Sequence, residues 1–248
     1  MQAIVVVPTY NERATLERAV MRSLDAVGDL DVLIVDDSSP DGTGELADAL
    51  CRAHARVHVL HRPGKSGLGP AYRAGLGWAL ERDYDAICEM DADLSHDPAD
   101  LARLVAALEG ADLVIGSRYV PGGRVVDWSP HRLALSSGGN RYVRLMTGLP
   151  VADATSGFRA FRRVVLTEVG LATVHSDGYA FQLEMALRTW RTGFRVVEIP
   201  ITFTERSEGA SKINWRIIIE AVLRTAHWGL EGPRRPAGVH ARSIAAHR

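Results

Sequence analysis

Tyr84-Asp85-Ala86-Ile87-Cys88-Glu89-Met90-Asp91-Ala92-Asp93 is a largely apolar run that ends in two aspartates one residue apart. A short run of this kind reads as a strand. At its exit, two carboxylates separated by one residue lean to the same side, because the side chain between them faces the other way. Carboxylates so placed suit a hard, oxygen-liganded cation such as Mg²⁺ or Mn²⁺, which also binds phosphate, so the pair reads as a mount for a diphosphate-bearing substrate. Taken alone, the triplet reads more simply as a solvated acidic turn, with Asp97-Pro98 opening a helix; the rest of the chain decides between the two.

Outward from this stretch the chain alternates regularly. Residues 3–7, 30–35, 57–61, 84–90 and 113–116 carry strand patterns, and 15–26, the stretch from about 43 to 53, 69–82 and 98–109 carry helical spacing. This βαβαβαβαβ order predicts an α/β fold: a mostly parallel sheet with helices on both faces, binding its ligands at the C-terminal ends of the strands. Pro8-Thr9-Tyr10, Asp36-Asp37 and Asp91-Ala92-Asp93 all occupy such ends, which brings them together although they are far apart in sequence.

The second half is less regular. Residues 121–130 hold two glycines, two prolines and Trp128 and read as a mobile surface loop. Helical spacing returns over 133–146 and 213–230, with a strand pattern over 195–204. Residues 1–230 read as a single domain. Residues 231–248, carrying Arg234, Arg235, Arg242 and Arg248 with two prolines, are expected to form a flexible basic tail.

The 248 residues are 46% hydrophobic and 24% charged, the balance of an ordinary globular chain with ample material for a core. A net charge of −1 provides no field to attract nucleic acid, so an anionic partner must be met by local arginine and lysine. Cys51 and Cys88 make neither a disulfide framework nor a thiolate metal site and read as reduced thiols. Met1-Gln2-Ala3-Ile4 leads straight into a strand pattern, and no apolar stretch reaches about 18 residues, so cytoplasmic residence is the expectation.

Two common nucleotide motifs fail. Gly64-Lys65-Ser66 lacks the earlier glycine of a phosphate loop, since position 59 is Val59, and the first strand exits into Pro8-Thr9-Tyr10-Asn11-Glu12 without the glycines of a dinucleotide fold. What remains is a nucleotide held by carboxylates. Asp37 and Glu12 can accept hydrogen bonds from ribose hydroxyls or base N–H groups while a cation takes the diphosphate.

Pro8-Thr9-Tyr10-Asn11-Glu12, Val35-Asp36-Asp37-Ser38-Ser39-Pro40-Asp41-Gly42-Thr43 and Asp91-Ala92-Asp93 resemble the family 2 glycosyltransferases of GT-A fold. Gly116-Ser117-Arg118-Tyr119, Asp153-Ala154-Thr155-Ser156-Gly157-Phe158-Arg159, Gly178-Tyr179-Ala180-Phe181-Gln182 and Arg206-Ser207-Glu208-Gly209-Ala210-Ser211-Lys212 look like the polyprenol-phosphate (dolichol-phosphate) mannose synthases. The resemblance runs to about residue 230. It implies GDP-mannose as donor and a polyprenyl monophosphate as acceptor. It also implies that Pro8, Tyr10, Glu12, Val35 and Asp37 hold the nucleotide, that Asp91, Ala92 and Asp93 hold the diphosphate and cation, and that Arg118, Arg206 and Lys212 hold phosphates. Where many relatives carry glutamine or another larger polar residue this chain has Ser95, so the resemblance leaves Ser95 as the candidate third protein ligand, with a water to complete the shell in its place. A related transferase using UDP-glucose or another nucleotide sugar shares most of these motifs, and a non-catalytic nucleotide-binding subunit would share the fold.

The chemistry such a reading implies needs no dedicated base, since the second pKa of a phosphate monoester is about 6 and its oxygen is already a nucleophile near neutrality. Asp93, Arg118 and Arg206 are the expected catalytic groups, with Arg118 and Arg132 on the acceptor phosphate; Glu184 reads either as a sugar sensor or as a structural acid. Direct displacement inverts the sugar's anomeric carbon. In 213–230, Arg216, Glu220, Arg224 and His227 recur every three to four residues beside a broad apolar face. Such a helix, roughly 27 Å long, is expected to lie against a core or a membrane surface and not to span a bilayer. Arg124, Trp128, Arg132, Arg141 and Arg144 are expected to add a second interfacial patch, so that the protein meets the cytoplasmic face of a membrane peripherally, alone or through a separate anchoring protein.

Overall fold

The computed structural model describes residues 1–205, 215–230 and 232. Nine strands are present among them: β1 Ala3–Thr9, β2 Leu30–Asp36, β3 Val57–His61, β4 Ala86–Glu89, β5 Leu113–Ser117, β6 Arg124–Val126, β7 Arg159–Arg162, β8 Val196–Pro200 and β9 Thr202–Thr204. The α-helices are α1 Leu16–Ala26, α2 Thr43–Ala53, α3 Leu68–Leu80, α4 Leu101–Ala107, α5 Pro130–Thr147, α6 Arg163–Glu168, α7 Gly178–Arg191 and α8 Trp215–Leu230.

Seven strands form one sheet in the order β3-β2-β1-β4-β7-β5-β8, and β6 and β9 form a separate parallel pair. Along β1 the side chains alternate between two cores: Ile4 and Val6 face α3 and α7, while Ala3, Val5 and Val7 face α1, α2 and α4. Burial on both faces is why these strands read as unbroken apolar runs.

The expected parallel order is interrupted once. β5 does not follow β4; β7 lies between them, antiparallel to both, with Ile87 opposite Phe161 and Glu89 opposite Arg159. The loop expected over 121–130 contains β6, and the strand expected over 195–204 breaks at Ile201 into β8 and β9, one in each sheet. α5 starts three residues earlier than its apolar spacing suggests, because Ser129 Oγ caps it by accepting from Arg132 N at 3.4 Å and Pro130 fits the first turn. α8 packs on α5 and α7. Its Gly229 permits a close approach, since a Cβ there would stand 2.7 Å from the Met146 carbonyl oxygen. Except for Gly232, the expected tail lies outside the described residues.

Candidate active site

The exits of β1, β2 and β4 open into one cavity of about 420 Å³. Each exit bends through a left-handed residue: Asn11 (φ 58°), Ser38 (φ 55°) and Leu94 (φ 60°). For leucine this conformation costs roughly 1–2 kcal/mol, and it is tolerated immediately after Asp93, where it turns the chain so that Ser95 can reach back.

At the first end of the cavity stand Pro8, Tyr10, Glu12 and Asp37. Asp37 Oδ1 accepts from Arg62 Nη1 at 2.6 Å and Oδ2 from Ser66 N at 3.3 Å. Burial raises its carboxyl pKa against the opposing pull of Ser66 and Arg62. Two acceptances leave lone pairs for a ligand. Lys65 Nζ lies 4.1 Å from the centre of the Tyr10 ring and also lines the cavity. The triplet that fails as a phosphate loop thus still supplies a cation, a role visible in sequence only from its place just past β3. Val35 departs from expectation. It does not line the cavity, and its side chain packs in the core against Gly75.

In the middle are Asp91 and Asp93. Asp91 Oδ1 accepts from the Tyr72 hydroxyl at 3.2 Å; burial first, then Asp91 itself, raises the Tyr72 pKa, so the phenol stays a donor. Asp93 Oδ1 accepts from Ser95 N at 3.0 Å and Ser95 Oγ at 2.6 Å. Ser95 thus orients Asp93 from behind and turns its hydroxyl to that carboxylate and not to the cavity wall. Among the described residues no group of three or more His, Cys, Asp and Glu is arranged to hold a metal. Two carboxylates on a cavity wall still fit Mg²⁺ or Mn²⁺ of the kind that takes its remaining ligands from substrate phosphate and water.

The far end is built by the segment before β7 and by α7. Arg118, at the end of β5, gives Nε and Nη2 to Asp153 at 2.7 and 2.6 Å and Nη2 also to Thr155 at 2.9 Å. Burial opposes its charge, but Asp153 outweighs burial and the Arg118 pKa is raised. Arg118 lines the cavity as expected, with most of its guanidinium committed to this pair. Beneath lies Arg159, fully buried, donating to the carbonyls of Ala154, Ser156 and Gln182 at 2.7 Å each. Burial lowers its pKa to about 10 despite the nearby Glu89 carboxylate. Glu184 is not in the cavity. It accepts from Ser176 and pairs with Arg188, which makes it a structural acid.

Phe203 of β9, Trp128 just past β6 and Arg132 in the first turn of α5 form the roof. Arg132 pairs with Glu205 and stands 4.1 Å from the Trp128 ring centre, while the Arg132 Nε and Trp128 Nε1 donors are buried without a partner. Trp128, expected at a lipid surface, instead lines the cavity with Phe203 and Arg132. His96, Gln182 and Thr155 also line it. None of the three stood out individually in the sequence. Arg206 and Lys212 lie outside the described residues.

Residues 4–170 match the Glycosyl transferase family 2 model. The chain is 50% identical over 243 residues to an undecaprenyl-phosphate mannosyltransferase of Micrococcus luteus, covering 96% of this chain and 100% of that one. It is 51% identical over 233 residues to a polyprenol monophosphomannose synthase of Mycolicibacterium smegmatis, covering 93% and 88%. Among solved structures, a mannosyltransferase from Pyrobaculum calidifontis in complex with GDP-Man and Mn²⁺ superposes with a TM-score of 0.61 at 18% identity, over 95% of this chain and 66% of that one. The sheet topology, the paired aspartates at the exit of β4 and the family match together make this chain a member of glycosyltransferase family 2.

Proposed function

We propose that the protein transfers mannose from GDP-mannose to a polyprenyl monophosphate, inverting the anomeric carbon. One observation carries this reading: a single cavity joins an acidic end, with Asp37, Asp91 and Asp93, to a roofed end where Arg132 and Trp128 bury unpartnered N–H donors. The first suits a nucleoside diphosphate with its cation, and the second suits a phosphate that arrives separately. Half-identity to an undecaprenyl-phosphate mannosyltransferase and a polyprenol monophosphomannose synthase over nearly the whole chain supports mannose as the transferred sugar and a polyprenyl phosphate as the acceptor.

Pro8, Tyr10, Glu12 and Asp37 hold the nucleoside, and Asp91 and Asp93 with the backbone of Ala92 hold the diphosphate and its Mg²⁺ or Mn²⁺. When bound, the cation neutralises charge that develops on the departing diphosphate. Arg132 with Arg118 positions the acceptor phosphate, whose own oxygen attacks, and Arg206 or Lys212, of the segment outside the described residues, stabilises the departing diphosphate. The aromatic roof of Trp128 and Phe203 limits water at that point, so hydrolysis competes less with transfer.

The acceptor is membrane-borne, and a face for it lies beside the cavity. α5 begins at Pro130, next to Arg132, and exposes Leu133, Leu135 and Leu145; α8 exposes Ile219, Val222, Leu223 and Leu230. No helix among the described residues is long and apolar enough to cross a membrane. The reading therefore places the protein peripherally on the cytoplasmic face of a bilayer, alone or with an anchoring partner.

The test uses radiolabelled GDP-mannose, a short polyprenyl phosphate and Mg²⁺ or Mn²⁺, with an EDTA arm and a panel of other nucleotide sugars. Labelled lipid that depends on the cation is expected. Asp93→Asn should lower turnover by about a thousandfold, the scale of losing one electrostatic contact in a dry site, with thermal stability little changed. A preference for UDP-glucose would overturn the donor, and binding of sugar nucleotide without transfer to any acceptor would leave a regulatory subunit.

A further inference from the structure

Gln182 lies in the second turn of α7, is 2% exposed and lines the cavity, yet neither Oε1 nor Nε2 of its amide makes a hydrogen bond of normal geometry. Folded chains leave few buried amides unsatisfied, and each that remains calls for a reason, such as strain, a catalytic role or a group that arrives from solution. On its inner side is Glu89, fully buried, whose carboxylate interacts with Gln182 although neither oxygen reaches normal hydrogen-bond geometry. On its outer side is open space created by Gly157. A Cβ at Gly157 would stand 3.8 Å from Gln182 Nε2 and 3.8 and 3.9 Å from the two carboxylate oxygens of Asp91. Gly157 is not among the residues with positive φ, so the backbone does not require glycine there. What the missing side chain provides is room, bounded by an amide on one side and a carboxylate on the other.

The sheet order says what fills that room. The nucleoside end lies over β1 and β2, the paired aspartates over β4, and Gly157 and Gln182 beside β7, the next strand along. A donor laid with its nucleoside at one end and its diphosphate in the middle carries its sugar onto the third position. We infer that the niche beside Gly157 receives one hydroxyl of the transferred sugar and that Gln182 is the residue that reads it. This rests on the proposed sugar-nucleotide donor but not on which sugar it is. Gln182 is then a specificity-determining residue, Glu89 a positioning residue behind it, and the sugar-sensing role that Glu184 does not fill belongs to the residue two positions earlier. A glutamine suits the task because its amide can turn either a donor or an acceptor toward a hydroxyl. Sites built to hydrogen-bond a substrate hydroxyl reject the analogue lacking it far more strongly than apolar pockets do.

The experiment uses the full chain with Mn²⁺ and compares wild type, Gln182→Leu and Gly157→Ala, each checked by circular dichroism. Titration calorimetry measures affinity for GDP and for GDP-mannose, and kinetics measure kcat/KM for GDP-mannose and its singly deoxygenated analogues. GDP affinity should stay within about twofold in all three proteins. Gln182→Leu should lower kcat/KM for GDP-mannose about tenfold, the scale of one neutral hydrogen bond. The penalty that wild type shows for one particular deoxy donor should vanish in Gln182→Leu. Gly157→Ala, which introduces no clash, should weaken GDP-mannose and spare GDP. Equal losses for GDP and GDP-mannose, or deoxy penalties unchanged by the substitution, would overturn the assignment. If Gln182→Leu fails to fold, Gly157→Ala decides by the same criteria. If wild type ignores GDP-mannose but uses another nucleotide sugar, the donor reading falls and that donor's deoxy analogues decide Gln182; if it uses none, both fall.

Discussion

The guanidinium of Arg118 illustrates how much one side chain's partners can change its reading. Its motif resembles a phosphate-binding arginine, but the fork of Nε and Nη2 is spent on Asp153, which is itself fully buried and receives no solvent. Sequence could not show this pair, because the two residues are 35 positions apart and meet only where the segment preceding β7 passes the end of β5. Asp153 is held in turn, its backbone N donating to Glu198 at 2.8 Å. A buried ion pair contributes little in itself, yet removing one partner strands the other as an uncompensated charge at about 3–5 kcal/mol. Asp153→Ala should therefore lower unfolding free energy by that amount in urea melts, and lose activity with it. If the variant were as stable as wild type and only turnover fell, Arg118 would be a free catalytic cation, as its motif alone suggests.

At the scale of elements, β1 to β5 and the helices between them were legible because all of these strands but the edge strand β3 are buried on both faces and the helices are buried on one. Burial writes a period of its own into such segments: Leu33 and Val35 on one side of β2, Val32 and Ile34 on the other. β7 was not legible. Arg159-Ala160-Phe161-Arg162 has two arginines in four residues, so a strand with three fully buried positions looks like surface. α7 was hidden for a related reason, since Gln182, Glu184 and Thr189 are buried polar residues that blur its apolar stripe. The strand-exit acids Asp37, Asp91 and Asp93 were legible from topology alone, whereas Gln182 was invisible until Gly157 and Glu89 were placed beside it. Arg159 explains the unusual element: its donors hold Ala154 and Ser156 of the cavity wall and Gln182 of α7 against the sheet. Arg159→Met removes all three bonds and leaves Glu89 without its nearest countercharge, a loss of about 3–5 kcal/mol. Hydrogen exchange should accelerate over 154–158 and the first turns of α7 before it changes in β1 or β2. A variant within about 1 kcal/mol of wild type, with exchange unchanged there, would show that β7 is held by packing alone.

For the whole molecule, the two sides of the sheet do different work. One side closes a core under α1, α2 and α4, while the other is covered by α3 and α7 and then by the α5–α8 pair, where Tyr142 donates to the Val222 carbonyl at 3.3 Å. Among the described residues nothing beyond that pair covers Leu145, 74% exposed, or Leu223, 65% exposed, and Arg141 and Arg144 stand exposed on the same helix as Leu145. A net charge of only −1 gives the molecule no strong overall attraction to an anionic bilayer, so on the proposed reading this face is the part of the described residues that would carry adsorption. A leucine fully removed from water contributes about 1.5–3 kcal/mol, and a basic residue near an anionic surface about 1 kcal/mol, so a few of each suffice for reversible binding. The double change Leu145→Asp with Leu223→Asp should therefore cut partition into vesicles containing anionic lipid by at least about tenfold. Both residues are exposed, so stability should hold, and transfer to a short water-soluble acceptor should continue while transfer to a long-chain acceptor in vesicles falls. Partition unchanged by the double substitution would mean that the α5–α8 face is not where this protein meets lipid, and the acceptor would have to be delivered from the opposite side of the cavity.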